Sequence, residues 1–274
     1  MQVATTVLQA RALFDVLPRP LGFVPTMGAL HEGHLALARR AREESTTVAA
    51  SIFLNPLQFA AGEDLEKYPR DLDSDRMKFE AAGVDVLFTP NQALMYPPDF
   101  STVVDIGPMG TRYEGELRPT HFRGVTTVVS KLLNIVRPDT LYLGQKDAQQ
   151  TAVLRRMVRD LDIPTSVVIV PTEREADGLA MSSRNLYLNP QERAAAPSLH
   201  HALQALRMAM QMGKSKADAI AAAKTRLDPL AQLDYLDVVD ANTFESIDVL
   251  SPPAFVIGAA RFGTTRLLDN LWIE

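Results

Sequence analysis

Blocks of apolar and polar positions along the 274-residue chain predict helices alternating with strands. Residues 7–17 read as a short amphipathic helix, and the apolar run LGFV at 21–24 reads as a buried strand. A polar turn with two glycines follows, then a helix over about 33–44 and a second buried strand, TVAASIFL, at 47–54. The rhythm repeats as helix 71–82 and strand 84–88, helix 122–135 and strand 140–143, then helix 148–161 and strand 166–170. Beyond about residue 171 the texture changes to an alanine-rich helical stretch, 191–227, interrupted by GKSK at 213–216. Strand-like runs follow at 235–239, 254–260 and 265–268.

Strands separated by helices predict parallel pairing, and right-handed crossovers put the loop after each strand on one sheet edge. The expected fold class is therefore α/β: an N-terminal Rossmann-like, doubly wound parallel sheet over 1–171, with a smaller C-terminal α+β domain over 172–274. Polar clusters fall where strands end: His31 and His34 after the first, Asn55 to Gln58 after the second, Gly144 to Asp147 after a later one, and Ser182 to Asn185 after the last of the series. In such sheets ligands bind beyond the carboxyl ends of the strands.

Composition narrows the chemistry. An apolar content of 46% supports a sizeable core, and a formal charge of -5 lacks the broad basic field of a nonspecific nucleic-acid binder, so no nucleic-acid partner is expected. No stretch approaches the ~18 uninterrupted apolar residues of a membrane span, and the first residues do not read as a secretory leader, so the expected location is cytoplasmic. With no cysteine in the chain, thiolate nucleophiles, thiolate metal sites and disulfides are excluded.

The turn GALHEGH at 28–34 has the glycine spacing of a Walker A loop, but His34 stands where that motif has lysine and Leu35 where it has a hydroxyl. His31 and His34, three apart, project from one side of a first helical turn, where N–H groups and the helix dipole favour phosphate. A metal pair or two surface histidines are the alternatives. The H-E-G-H spacing is not that of a zincin, and no third ligand cluster is evident. Lys146 and Asp147 read either as a solvated cation beside a helix cap or as a phosphate-neutralising pair, and Ser182, Ser183 and Arg184 either as an ordinary loop or as oxyanion donors. Asn55, Gln58 and Gln150 suit recognition of hydroxyls and carboxylates, or backbone capping.

In this order, the motifs PTMGALHEGH at 25–34, FLNPLQF at 53–59, YPR at 68–70, EG at 114–115, RPTHF at 118–122, GQKDAQQ at 144–150 and MSSRN at 181–185 resemble the pantothenate synthetase family. That family lies in the HIGH-motif nucleotidyltransferase-like group, and the match covers most of the chain. The resemblance implies an ATP-dependent ligase that makes pantothenate from (R)-pantoate and β-alanine through a pantoyl adenylate, releasing AMP and pyrophosphate. ATP is a substrate, Mg2+ is held chiefly by its phosphates with no firm protein ligand, and a homodimer is expected. His34 is implied as general acid, with His31, Lys146 and Arg184 also catalytic. The ATP site is implied to comprise Met27, Gly28, Ala29, Leu30, His31, Glu32, Gly33 and His34 with the loop's backbone N–H groups, then Gly144, Gln145, Lys146 and Asp147, and Glu173. Met181, Ser182, Ser183 and Arg184 would close over the phosphates as part of a C-terminal lid. Gln58 and Gln150 are implied to grip pantoate against Pro25 and Met27, with Asn55, Glu114 and Arg118 shaping the floor.

Two positions depart from the family pattern. Gln145 stands where many relatives have Glu, and Glu173 where a Val commonly meets adenine through its backbone. The alternatives are another HIGH-motif nucleotidyltransferase, a fragment of an aminoacyl-tRNA synthetase, or a silent nucleotide-binding protein. Two glutamines and apolar residues favour a small hydroxy acid over a phosphate ester, no basic tRNA-binding module is visible, and the phosphate-handling side chains are retained.

Overall fold

Alternate residues of each central strand face opposite layers of helices, and this decides the architecture. The computed structural model describes residues 1–59, 65–66 and 68–274. Among them, β1 (Gln2–Ala4), β2 (Leu21–Thr26), β3 (Thr47–Ile52), β4 (Val86–Phe88), β5 (Thr140–Gly144) and β6 (Ser166–Val170) form a parallel sheet in the order β1-β4-β3-β2-β5-β6. The helices of this part are α1 (Val7–Phe14), α2 (Glu32–Glu44), α3 (Leu72–Ala81), α4 (Gln92–Met95), α5 (Glu114–Leu117), α6 (His121–Val136) and α7 (Ala148–Asp160). Phe23, Ala49, Phe88 and Leu141 pack with Phe14 of α1, Val129 and Leu132 of α6 and Met157 of α7. Their strand neighbours Val24, Val48, Ala50, Leu87 and Tyr142 pack with Leu37, Ala38 and Ala41 of α2 and Phe79 of α3. The sheet is thus covered on both faces, as the near-continuous apolar strands required.

The chain builds outward from β2 through β3 and β4, then returns to add β5 and β6 on the other side of β2. The order reverses between β2 and β5, so the carboxyl ends at Thr26 and Gly144 flank the switch point where such sheets bind ligands. The edge strand β1 had no counterpart in the hydrophobic pattern. Three residues are too few to show a period, and it is held by pairing Gln2, Val3 and Ala4 with Val86, Leu87 and Phe88.

The chain forms two compact units, Met1–Gly144 with Val153–Val170, and Gln145–Ala152 with Pro171–Glu274. In the second, β7 (Ala231–Asp240), β8 (Ala254–Phe262) and β9 (Thr265–Ile273) make an antiparallel sheet in that order. Helices α8 (Pro190–Ala195), α9 (Ser198–Gln211) and α10 (Lys216–Lys224) accompany it, and Leu199, Leu203 and Leu206 of α9 share a core with Val256 and Ala260 of β8. The helical stretch expected over 191–227 is divided for local reasons: Pro197 precedes α9, Gly213 at φ +79° ends it, and the Ser215 side chain caps α10. All three strands run longer than the expected 235–239, 254–260 and 265–268, because cross-strand pairing carries them through polar positions such as Arg261, Asp269 and Asn270 that interrupt the apolar pattern. No helix among the described residues is long and apolar enough to cross a membrane.

Candidate active site

The loop leaving β2 turns through left-handed backbone at Gly28 (φ +91°) and Ala29 (φ +53°) before α2 begins. A Cβ on Gly28 would stand 3.0 Å from the Asp75 carboxylate, and Asp75 is why the loop is tight. This α3 residue, 2% exposed, accepts the N–H groups of Ala29 and Leu30, each at 2.8 Å. Lys78, one turn further along α3, donates to the Leu30 carbonyl at 2.8 Å. Gly28 N–H reaches Thr26 Oγ1 at 3.3 Å. Of the loop amides expected to cradle phosphate, those of Gly28, Ala29 and Leu30 therefore have acceptors within the protein.

His31 and His34 cap α2 reciprocally. His31 Nδ1 accepts from Gly33 N–H at 3.2 Å, His34 Nδ1 accepts from His31 N–H at 3.3 Å, and the rings lie 4.1 Å apart between centroids. An Nδ1 that accepts a backbone N–H leaves the ring proton on Nε2, so both imidazoles are set in the tautomer whose Nε2–H donates. Gly33 permits this arrangement: a Cβ there would lie 3.0 Å from the His31 ring. Nδ1 of each imidazole is thus an acceptor for a backbone N–H at the start of α2.

After β3, Asn55 (1% exposed) donates through Nδ2 to Gln58 Oε1 and to the Gly124 carbonyl, both at 3.0 Å. Its Oδ1 accepts from Tyr96 Oη at 2.7 Å and from Leu57 N–H at 3.3 Å. With the amide committed on both sides, Asn55 organises its surroundings. It turns the Gln58 amide so that Nε2 points at Met27 Sδ, 2.7 Å away. Burial pushes the Tyr96 phenol above its ordinary value, which keeps it a donor. The Gln58 carbonyl accepts from Arg118 Nη2 at 3.0 Å and His121 Nδ1 at 2.9 Å, while Arg118 Nη1 lies 3.3 Å from His121 Nε2. Glu114 is buried, and its carbonyl accepts the Arg118 N–H at 2.9 Å. Pro25 is half-buried at the end of β2.

In the second unit, Gln145–Asp147 form a 3-10 turn in which Lys146 Nζ sits 3.0 Å from Asp147 Oδ1. Lys146 lines a small, partly open pocket with Ser182, Arg184, His200, Arg266 and Asp269, over apolar walls that include Leu179, Leu199 and Leu267. The pocket gathers three of the side chains singled out from sequence, and its cations and hydroxyl suit an anionic group. Ser182 Oγ accepts the Arg184 N–H at 3.3 Å, starting the turn Ser183–Tyr187, and the Glu173 carbonyl accepts the Met181 N–H at 2.9 Å. Gln150 is half-buried in the first turn of α7. Gln145 Nε2 donates to Asn270 Oδ1 at 3.1 Å.

Asp269, 5% exposed, accepts both Arg174 Nη groups at 2.7 and 2.8 Å and lies 3.2 Å from His200 Nδ1. Burial pushes its carboxyl up, but the hydrogen bonds from His200 and Arg174 and the Arg174 charge outweigh that and hold it below its ordinary value. A depressed carboxyl stabilises the fold above its unfolded value of about 4, and that contribution is lost as pH falls through the lower folded value. The Tm difference between the wild type and Asp269→Asn should therefore shrink as pH falls below about 4. A constant difference from neutral to strongly acidic pH would contradict this.

Asp75, Lys78, Tyr96, His121, Asp269 and Asn270 carry the local geometry and were not singled out from sequence. Asp75 and Lys78, three apart on one helix face, left a trace as a paired acid and base. Asn270, in a strand at the far end of the chain, left none.

A family model described as pantoate-beta-alanine ligase matches residues 2–272. A pantothenate synthetase of Roseiflexus castenholzii is 50% identical over 277 residues, covering 100% of each chain. The crystal structure of pantothenate synthetase from Thermus thermophilus superposes with a TM-score of 0.94 at 49% identity, covering 99% of both chains. That of pantoate-beta-alanine ligase from Francisella tularensis, complexed with beta-gamma ATP and beta-alanine, gives 0.81 at 32% identity, covering 99% of this chain and 97% of that one.

Proposed function

Since the chain belongs to the pantoate-beta-alanine ligase family, we propose how its residues divide the work of that reaction. The chain is an ATP-using ligase that joins pantoate to β-alanine and forms pantothenate. The observation that carries the assignment of roles is the reciprocal histidine cap, which sets Nε2–H of both His31 and His34 as donors at the start of α2.

In the first step a pantoate carboxylate oxygen attacks the α-phosphorus of ATP. A P–O bond forms, the bond to the β-phosphate oxygen breaks, and pyrophosphate leaves. Negative charge builds on the phosphoryl oxygens and the leaving group, where donors fixed in advance act without reorganisation. His34, with His31, supplies such donors, while Lys146, Ser182, Ser183 and Arg184 neutralise the phosphates. Gly144 and Asp147 hold the ribose, and adenine meets the main chain at Glu173. Gln58 is poised for pantoate: its Nε2 rests on a thioether, a weak acceptor, so exchange for a hydroxyl or carboxylate oxygen is favourable. Gln150 makes the complementary contact. In the second step the amine of β-alanine attacks the acyl carbon, the C–N bond forms, and AMP departs with the former carboxylate oxygen. Exclusion of water from the mixed anhydride is required meanwhile.

ATP enters as its Mg2+ complex. Among the described residues no group of three or more His, Cys, Asp or Glu side chains is arranged to hold a metal, and a cation carried by the triphosphate needs none. A homodimer is carried into this reading by the family resemblance, and a cytoplasmic location by the composition of the sequence.

Incubation with ATP, Mg2+, pantoate and β-alanine should yield AMP and pyrophosphate, with pyrophosphate release dependent on pantoate. Formation of ADP, or absence of nucleotide turnover, would overturn the adenylate route.

A further inference from the structure

The turn that carries Lys146 is held by a residue outside every motif of the chain. Asn270, on β9 and 1% exposed, donates through Nδ2 to the carbonyls of Gln145 and Lys146, both at 2.9 Å. Its Oδ1 accepts from Gln145 Nε2 at 3.1 Å. This amide fits in one orientation: two carbonyls demand its nitrogen, and its oxygen then demands the donor that Gln145 supplies. The Asn270 backbone is held as firmly. Its N–H donates to Asp269 Oδ1 at 2.7 Å, and its carbonyl accepts from Arg174 Nη2 at 3.1 Å, the same guanidinium that grips Asp269. The half-buried Arg174 and the buried Asp269 thus brace an asparagine, and the asparagine braces the turn from which Lys146 reaches the pocket.

We infer that Asn270 is a positioning residue for ATP use: it sets the backbone at Lys146 and so aims the ammonium at phosphate. The inference rests on the assignment of Lys146 to phosphate given above. Gln145 is the matched partner of Asn270, because a carboxylate at 145 would set oxygen against Asn270 Oδ1 with no proton between them. A glutamine at this position is therefore part of the device that holds the turn.

Steady-state kinetics of the full chain test this. Asn270→Ser, which shortens the side chain and breaks the amide clamp, should raise the KM for ATP about tenfold and leave the KM for β-alanine within about twofold. Asn270→Asp preserves volume but turns oxygen toward two carbonyls, so it should be worse than Asn270→Ser; a space-filling role predicts the opposite order. Should Asn270→Asp not fold, the cycle of Asn270→Ser with Lys146→Ala decides. If Asn270 acts through Lys146, the serine substitution adds nothing to the KM for ATP once Lys146 is gone. Full additivity, or a lowered Tm with an unchanged KM for ATP, overturns the inference about Asn270 alone. An unchanged KM for ATP in Lys146→Ala overturns the assignment of Lys146 and the inference with it.

Discussion

Replacing His34 with alanine is expected to lower pantoate-dependent pyrophosphate release by about a hundredfold or more while the protein stays folded. The side chain has two separable duties. Nδ1 caps the His31 N–H at 3.3 Å, and loss of such a cap costs about 1 kcal/mol of stability. Nε2–H is the donor assigned to the developing charge, where loss of one fixed donor costs on the order of a hundred- to a thousandfold in rate. His34→Asn separates the duties, since its amide oxygen can take the place of Nδ1 as acceptor while nothing replaces Nε2–H. Both variants should lose the rate, and His34→Asn should keep more of the wild-type Tm. Normal turnover per folded molecule in either variant, with the loss confined to folding, would assign His34 a structural role instead.

The second large effect is expected from Asp75→Ala. The carboxylate accepts two loop N–H groups at 2.8 Å in a buried setting, and stranding them costs about 1–3 kcal/mol each. The loop it holds includes left-handed backbone at Ala29, a conformation that residues with a Cβ rarely adopt unless neighbours impose it. Freed of Asp75, the loop relaxes and the histidine pair at its end loses its aim. The expected result is a fall in kcat/KM of roughly tenfold to a hundredfold, with a lowered Tm. Asp75→Asn keeps one acceptor and should fall between wild type and Asp75→Ala in both measures. If the folded fraction of Asp75→Ala turns over at the wild-type rate, the loop does not depend on the clamp.

Much of the molecule was legible in the order of its residues because the signals are local. Short apolar runs separated by helical stretches identified the parallel strands, the shift to an alanine-rich stretch and short strands identified the smaller α+β part, and the histidine spacing placed both rings at one helix start. The interruption at Gly213 was legible from the same rules, whereas the alanine-rich pattern hid the break at Pro197. The strand β1 stayed hidden because an edge of three residues is defined by its partner β4.

The sequence by itself determined the fold class and showed polar clusters at the strand ends. Tertiary structure alone decided how those groups are aimed. The glycine-bearing turn suggested amides open to phosphate, but the folded chain binds those of Ala29 and Leu30 to Asp75, 46 and 45 residues away, and commits Nδ1 of both imidazoles to the helix cap. Lys146 was evident from its motif, whereas the Asn270 that sets its turn reaches Gln145 across 125 positions of sequence. The physical reason is that periodicity, caps and turns arise among near neighbours in the chain. A buried hydrogen bond between distant residues depends on direction and burial, and these exist only once the sheets have assembled.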